Sequence, residues 1–265
     1  LGGGSGGVRA ARIAALHGVK VALCEKDRMG GTCVIRGCIP KKILFYASQH
    51  QSILENSSAY GWGVNNITKN FSKLIKNKNK ELKRLESIYD KNAKKAGVKI
   101  YYKEAYLEKK NIIKVGSDKI FAKKVIIATG GKPKELPVDE NGYCLNSDQI
   151  MELKKIPKQL AIIGSGYIAI EFAFIFAALG SKVSLICRKD ILRGFDTDLV
   201  KLVKDSLTSK GIKVFLNEEV KKISCKKNIK KLLLQNSNIT ISSTEVLTAI
   251  GRVANIKNLN LNNVG

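Results

Sequence analysis

The sequence is as informative in what it withholds as in what it contains. It has no long apolar run: the most hydrophobic stretch, Tyr167 to Leu179, is too short for a bilayer and carries Glu171, and no segment reads as a secretory signal. Cysteine is sparse. The six present (Cys24, Cys33, Cys38, Cys144, Cys187 and Cys225) are too few in 265 residues for the dense disulfide framework of a small secreted domain, so a reducing, cytoplasmic setting is expected. Histidine is scarcer still: His17 and His50 fall on the first helices, where both read as surface residues, and no metal site is expected. Acid is in short supply, with 22 Asp and Glu against 47 Lys and Arg, a formal charge of +25. That charge taken alone suggests nucleic acid. The lysines, however, are spread over every segment, and runs such as Lys76 to Lys83 and Lys226 to Lys231 are not interleaved with aromatics. They read as solvated faces, and neither a nucleic-acid nor a membrane partner is expected.

A chain of this length can bury one large or two ordinary cores, and two domains are expected. The densest stretch is Gly30 to Lys42, GGTCVIRGCIPKK, in which Cys33 and Cys38 have four residues between them. If this segment starts a helix, the two sulfurs sit on neighbouring turns and can approach to disulfide distance. Two dinucleotide-type glycine turns flank it. Gly2, Gly4 and Gly7 satisfy GxGxxG, Ala10, Ala11, Ala14 and Ala15 give the following helix a small packing face, and Val19 to Cys24 reads as a strand closed by Glu25, placed to read a ribose hydroxyl. Of the strand that should precede these glycines only Leu1 is present, so the chain is read as partial at its start. The second turn, Gln159 to Glu171, has Gly164, Gly166 and Ala169 as GxGxxA; its next strand, Lys182 to Ile186, ends at Cys187 and Arg188, where an NAD-binding unit has an acid. A cation there favours NADPH, with Arg193 as a second clamp on the 2′-phosphate.

Between these landmarks, Lys41 to Ser57 and Phe71 to Ala96 read as helices, Val98 to Phe121 as a meander, and Lys124 to Gly131 (KVIIATGG) as a buried parallel strand before a linker at Pro133 and Pro137. Thr197 to Lys210 reads as a helix, Ile212 to Leu216 as a strand, Val220 to Ile241 as a second meander, and Thr244 to Arg252 as a returning strand and turn.

The cysteine segment resembles the redox disulfide of the flavin-dependent pyridine-nucleotide disulfide oxidoreductases, and the CxPKK half is most similar to the glutathione reductase branch of that family. The resemblance implies an α/β fold with two Rossmann-like FAD- and NAD(P)-binding domains of three-layer ββα type, the NADPH domain inserted in the FAD domain. It places the FAD domain with redox disulfide at 1–135, the NADPH domain at 136–252 and the start of a return segment at 253–265, without the C-terminal dimerisation domain. By resemblance, Cys38 is the sulfur beside the flavin and Cys33 the interchange thiol, with Lys41 near the flavin and paired to Glu171. FAD contacts are implied at Gly2, Gly4, Ser5, Gly7, Glu25, Thr32, Cys38, Lys41, Ala105, Thr129 and Gly130. NADPH contacts are implied at Gly164, Gly166, Tyr167 (a gate over the flavin), Ile168, Glu171, Arg188, Arg193 and Gly251. Substrate contacts are implied at Ser5, Arg12 and Tyr89, with Arg36 nearby. The implied reaction is NADPH-dependent reduction of glutathione disulfide through FAD and the Cys33–Cys38 pair, in a full-length homodimer; a lowered thiol pKa is expected from a helix N-terminus and Lys41. Lipoamide or a bis-glutathionyl polyamine are the alternative substrates. A non-catalytic basic module that binds nucleic acid is the alternative of another class.

Overall fold

The computed structural model describes residues 1–264; Gly265, the last residue of the expected return segment, lies outside them. The chain forms two compact units. One gathers Leu1–Lys41, Asn77–Lys132 and the segment from Val253 onward; the other gathers Lys42–Lys76 and Pro133–Arg252. Helix and strand order begins α1 (Ser5–Leu16), β1 (Ala22–Cys24), α2 (Gly31–Arg36), α3 (Cys38–Asn56), α4 (Phe71–Lys95), β2 (Lys99–Tyr101), β3 (Ala105–Lys109), β4 (Ile112–Val115) and β5 (Asp118–Phe121). It continues with β6 (Gly131–Pro133), β7 (Leu145–Asn146), β8 (Gln159–Ile163), α5 (Tyr167–Leu179), β9 (Lys182–Cys187), α6 (Thr197–Ser209) and β10 (Lys213–Leu216). The last strands are β11 (Val220–Lys226), β12 (Ile229–Leu234), β13 (Thr240–Ser243), β14 (Glu245–Thr248) and β15 (Arg252–Ala254).

In the first unit the small residues of α1 let it lie close on β1: Val8 and Ala11 are buried with Leu23, Met29, Ala93 and Val98 in one cluster. Strand β1 is shorter than expected because the amide of Val19 still closes the end of α1, donating to the Ala14 carbonyl at 3.1 Å. It pairs in parallel with β2, so only β3, β4 and β5 form the antiparallel meander. The expected strand over KVIIATGG is not formed. Residues 124–130 have no strand assignment, and Val125, Ile126 and Ile127 are exposed rather than buried. The segment's backbone makes only scattered bonds: the Leu1 amino group donates to the Ile126 carbonyl at 2.7 Å, Ala128 N donates to the Leu1 carbonyl at 2.8 Å, and at the far end the Gly130 carbonyl accepts from Asn255 N at 2.9 Å. A ladder one residue long supplies neither repeated bonds nor cover for alternate side chains.

The second unit is three-layered. Its central sheet is parallel, in the order β10-β9-β8-β14-β7. Strand β8 has Leu160, Ala161, Ile162 and Ile163 all buried, the run of apolar residues that a strand covered on both faces requires. Helix α5 covers one face, with Ala173, Ile175 and Phe176 buried against Ile162 and Leu185. The antiparallel sheet β11-β12-β13 covers the other, with Ile223, Leu232 and Ile241 packed on Ala161, Ile186 and Val246. Leu44, Phe71 and Ile75 share the α5 cluster, which is why most of α3 and the first turns of α4 group with this unit. Each such side chain contributes roughly 1.5–3 kcal/mol by leaving water. Among the described residues no helix is long and apolar enough to cross a membrane.

Candidate functional site

The cysteine segment folds as two helices with a break. Cys33 lies in α2, Gly37 ends it, and Cys38 opens α3, with Pro40 in the first turn, where a missing amide hydrogen costs nothing. The preceding glycines explain themselves in the first glycine turn. Gly30 and Gly31 are both left-handed, at φ 105° and 59°; Gly30 N donates to the Gly3 carbonyl at 2.8 Å, and a Cβ on Gly31 would stand 2.5 Å from Gly4 Cα. Only two glycines in succession allow this helix to approach the turn so closely.

Neither cysteine is in a disulfide in this structure. Cys33 is half-buried and Cys38 exposed. Cys33 shares a hydrogen bond with the Cys38 side chain and accepts from the Cys38 amide and the Ser5 hydroxyl. The expected lowering of the thiol pKa does not hold for Cys33: desolvation, with the adjacent Cys38 adding to it, pushes the thiol up to about 11, outweighing the two donors. Lys42 Nζ lies over the rings of Phe45 and Tyr46, at 5.4 and 5.2 Å.

Around the first glycine turn, Glu25 spans two amides: Oε2 accepts from Gly3 N at 2.6 Å and Oε1 from Asp27 N at 2.7 Å. Gly2, Glu25, Ala105 and Thr129 line a common cleft of about 80 Å³. Lys26, Lys103, Glu104, Asn255 and Asn258 line it too, and Lys26 pairs with Glu104 at 2.7 Å. No motif pointed to these five; the acid at the end of β1 was the one local signal, and Lys26 follows it directly. Ser5 starts α1, on which Arg12 also lies, its Nε buried without a hydrogen-bond partner among the described residues. Tyr89 packs half-buried on the Val8–Leu23 cluster, Arg36 is engaged by Asp27, and Thr32 and Gly130 are exposed. His17 and His50 are both on the surface.

In the second unit, Gly164 N donates to the Ile186 carbonyl at 2.9 Å, and α5 starts at Tyr167 behind Gly166, with no side-chain cap and no acid in its first turn. A Cβ on Gly166 would project into open space. Uncapped first-turn amides beneath an open approach suit a pyrophosphate, so the residues present fit a dinucleotide. Tyr167 is exposed at the same end, Ile168 and Glu171 are half-buried on α5, and Gly251 lies exposed beyond β14. At the end of β9 the Cys187 thiol is fully buried, donates to the Gly164 carbonyl at 3.5 Å and is pushed up to about 12, by desolvation first and Asp190 second. It therefore stays neutral where an acid would read a ribose hydroxyl. Arg188 and Arg193 follow, both exposed.

The profile of the pyridine nucleotide-disulphide oxidoreductases matches residues 1–265. The chain belongs to the pyridine nucleotide-disulphide oxidoreductase family. Among curated members it is similar to the glutathione reductases of Nostoc sp. (40% identical, covering all of this chain and 58% of that one) and Burkholderia cepacia (39%, all of this chain and 59% of that one). It is also similar to the chloroplastic/mitochondrial glutathione reductase of Pisum sativum, at 36% identity and 50% coverage of that chain. Among solved structures, the flavoprotein disulfide reductase RclA of Escherichia coli superposes with a TM-score of 0.87 at 26% identity, over all of this chain and 58% of that one. LpdA of Mycobacterium tuberculosis, at 23% identity and covering 60% of that chain, shares the fold with a TM-score of 0.92. The chain thus spans half to three-fifths of the length of these family members.

Proposed function

We propose that this chain carries the electron path of an NADPH-dependent glutathione-disulfide reductase. The observation that carries the reading is the Cys33–Cys38 pair in hydrogen-bond contact at the start of α3, brought against a dinucleotide-type glycine turn by Gly30 and Gly31. When bound, FAD would supply two-electron chemistry between NADPH and the oxidised cysteine pair. The rest is done by the chain. Gly2, Gly4, Gly7, Glu25, Ala105, Thr129 and Gly130 hold the adenylate and pyrophosphate half of FAD, Glu25 with a lone pair on each oxygen to spare for a ribose hydroxyl. Thr32, Cys38 and Lys41 would hold the flavin end, and Glu171 is the acid assigned to Lys41 in this reading. Gly164, Gly166, Ile168 and Gly251 admit NADPH, Tyr167 covers the approach, and Arg188 and Arg193 clamp the 2′-phosphate.

In the second half-reaction the Cys33 sulfur, as thiolate, attacks one sulfur of glutathione disulfide. That breaks the substrate S–S bond, releases one glutathione thiolate and leaves Cys33 in a mixed disulfide. Cys38 attacks the Cys33 sulfur, releases the second glutathione and restores the Cys33–Cys38 disulfide; two protons accompany the two thiolates. Ser5, Arg12 and Tyr89 receive the substrate, and the buried Nε of Arg12, which has no hydrogen-bond partner among the described residues, suits one of its carboxylates. The two domains with bounds 1–135 and 136–252, the reducing compartment and a homodimer of the full-length protein belong to the same reading.

The test is NADPH oxidation with glutathione disulfide, lipoamide and a bis-glutathionyl polyamine offered separately. The reading expects turnover with glutathione disulfide and NADPH, little with NADH, and none in Cys33→Ser or Cys38→Ser. Preference for lipoamide with NADH overturns the substrate and cofactor assignments together.

A further inference from the structure

The loop after β9 carries a charge at odds with its proposed task. Between Arg188 and Arg193 stands Asp190, exposed, three residues beyond the buried Cys187. A mobile carboxylate there would repel a 2′-phosphate and offer an acceptor to the unphosphorylated ribose of NADH, undoing what a neutral Cys187 achieves.

That carboxylate is already engaged. Its Oδ2 takes Lys204 Nζ, from the middle of α6, at 2.7 Å, and its Oδ1 takes the amide of Ile191 at 2.8 Å. Lys204 is also the chief reason the carboxyl is held below its ordinary range. The loop itself is fixed. Ile191 is 1% exposed, plugged into the α5 cluster, and Leu192 adopts a left-handed conformation (φ 48°) unusual for a branched side chain. Its amide donates to the Ser165 carbonyl at 2.8 Å, within the second glycine turn. Asp190 is thus held on a rigid loop with its charge directed at α6.

We propose that Lys204 is a specificity-determining positioning residue: by engaging Asp190 it removes the one negative charge between the two arginines and so secures preference for a 2′-phosphorylated dinucleotide. This rests on the NADPH reading above. An exposed ion pair contributes little to stability, so its effect belongs in ligand preference rather than in folding.

The experiment measures NADPH and NADH dissociation constants on the unsubstituted chain and on Lys204→Met, Lys204→Arg, Asp190→Asn and the Asp190→Asn/Lys204→Met double variant, by titrating cofactor fluorescence at low salt. Lys204→Met lowers the NADPH-over-NADH preference by about three- to tenfold, the size of one unit charge acting on a phosphate through screened solvent. Lys204→Arg keeps the parental preference, Asp190→Asn keeps or raises it, and the double variant recovers it. Unchanged preference in Lys204→Met overturns the proposal. So does a double variant as indiscriminate as Lys204→Met, because Lys204 would then bind the phosphate itself. A parent chain that does not favour NADPH over NADH overturns the cofactor reading, and this proposal with it.

Discussion

Two glycines of the second turn look alike in sequence and do different work, and replacing each by alanine separates the fold from the site. Gly164 sits at φ 139°, and a Cβ there would stand 2.3 Å from the Ala249 carbonyl oxygen and 2.8 Å from its carbon. Both atoms are backbone, and Ala249 N donates to the Ile163 carbonyl at 2.8 Å, so relief requires the ends of β8 and β14 to part. Overpacking of this kind costs about 1–3 kcal/mol and the unfavourable φ about as much again, so Gly164→Ala should lose roughly 2–6 kcal/mol. At about 2–4 °C per kcal/mol for a chain of this size, the melting transition falls by roughly 4–24 °C. Gly166 has ordinary dihedrals (φ −83°, ψ 175°), and nothing lies within 4 Å of its would-be Cβ. Gly166→Ala should lose no more than about 1 kcal/mol, the difference between glycine and alanine as a helix cap, while its methyl group obstructs the pyrophosphate. Thermal melting followed by circular dichroism, paired with NADPH titration, reads both. A Gly164→Ala chain melting within 1–2 °C of its parent would refute the argument from close approach. So would a Gly166→Ala chain that melts normally and binds NADPH with undiminished affinity.

Three further outcomes follow from the same geometry. Asp196 Oδ1 caps α6 by accepting from Asp198 N at 3.0 Å and Leu199 N at 3.1 Å, so Asp196→Ala should lower unfolding free energy by about 1 kcal/mol in urea titration, with no change in m. Glu25→Ala removes two charge-assisted bonds, and a loss of about 1.5–3 kcal/mol is expected, together with weakened FAD retention; equilibrium unfolding and flavin fluorescence check the two effects separately. For reduced Cys33, a folded-state pKa raised to about 11 means that the neutral thiol contributes stability below the unfolded value of 9.0, and that this is lost as pH rises through 11. Its iodoacetamide reactivity should accordingly keep climbing above pH 9, and a plateau reached below pH 8 would contradict the burial argument.

The parts of this molecule legible in its sequence are those whose cause is local. The glycine turns, the neutral end of β9, the amphipathic stripe of α4 and the meander of β11 to β13 each follow from spacing and side-chain type within a few residues. KVIIATGG does not form the expected strand because an apolar run specifies a strand only when a neighbour pairs along its length, and over residues 124–130 the bonds to Leu1 and Asn255 are scattered. The grouping of Lys42–Lys76 with the second unit was hidden for a related reason: Leu44, Phe71 and Ile75 look like any helix stripe until the face they meet is known. Of the site, the cysteines, Glu25 and the turn glycines carried their own signature. Lys26, Lys103, Glu104, Asn255 and Asn258 meet only after some 230 residues of chain have returned to the first unit, and no window of sequence brings them together. The raised Cys33 pKa was misjudged because a helix terminus and a lysine can be counted in sequence, whereas desolvation cannot.

The most direct test of the electron path is to count thiols at single-residue resolution. The oxidised protein, loaded with FAD, is given one equivalent of NADPH without oxygen, quenched with iodoacetamide in denaturant so that burial no longer limits alkylation, and mapped by mass spectrometry. The account predicts new alkylation at Cys33 and Cys38 together, with Cys24, Cys144, Cys187 and Cys225 unchanged. No gain at the pair, or an equal gain at any of the other four, would contradict it.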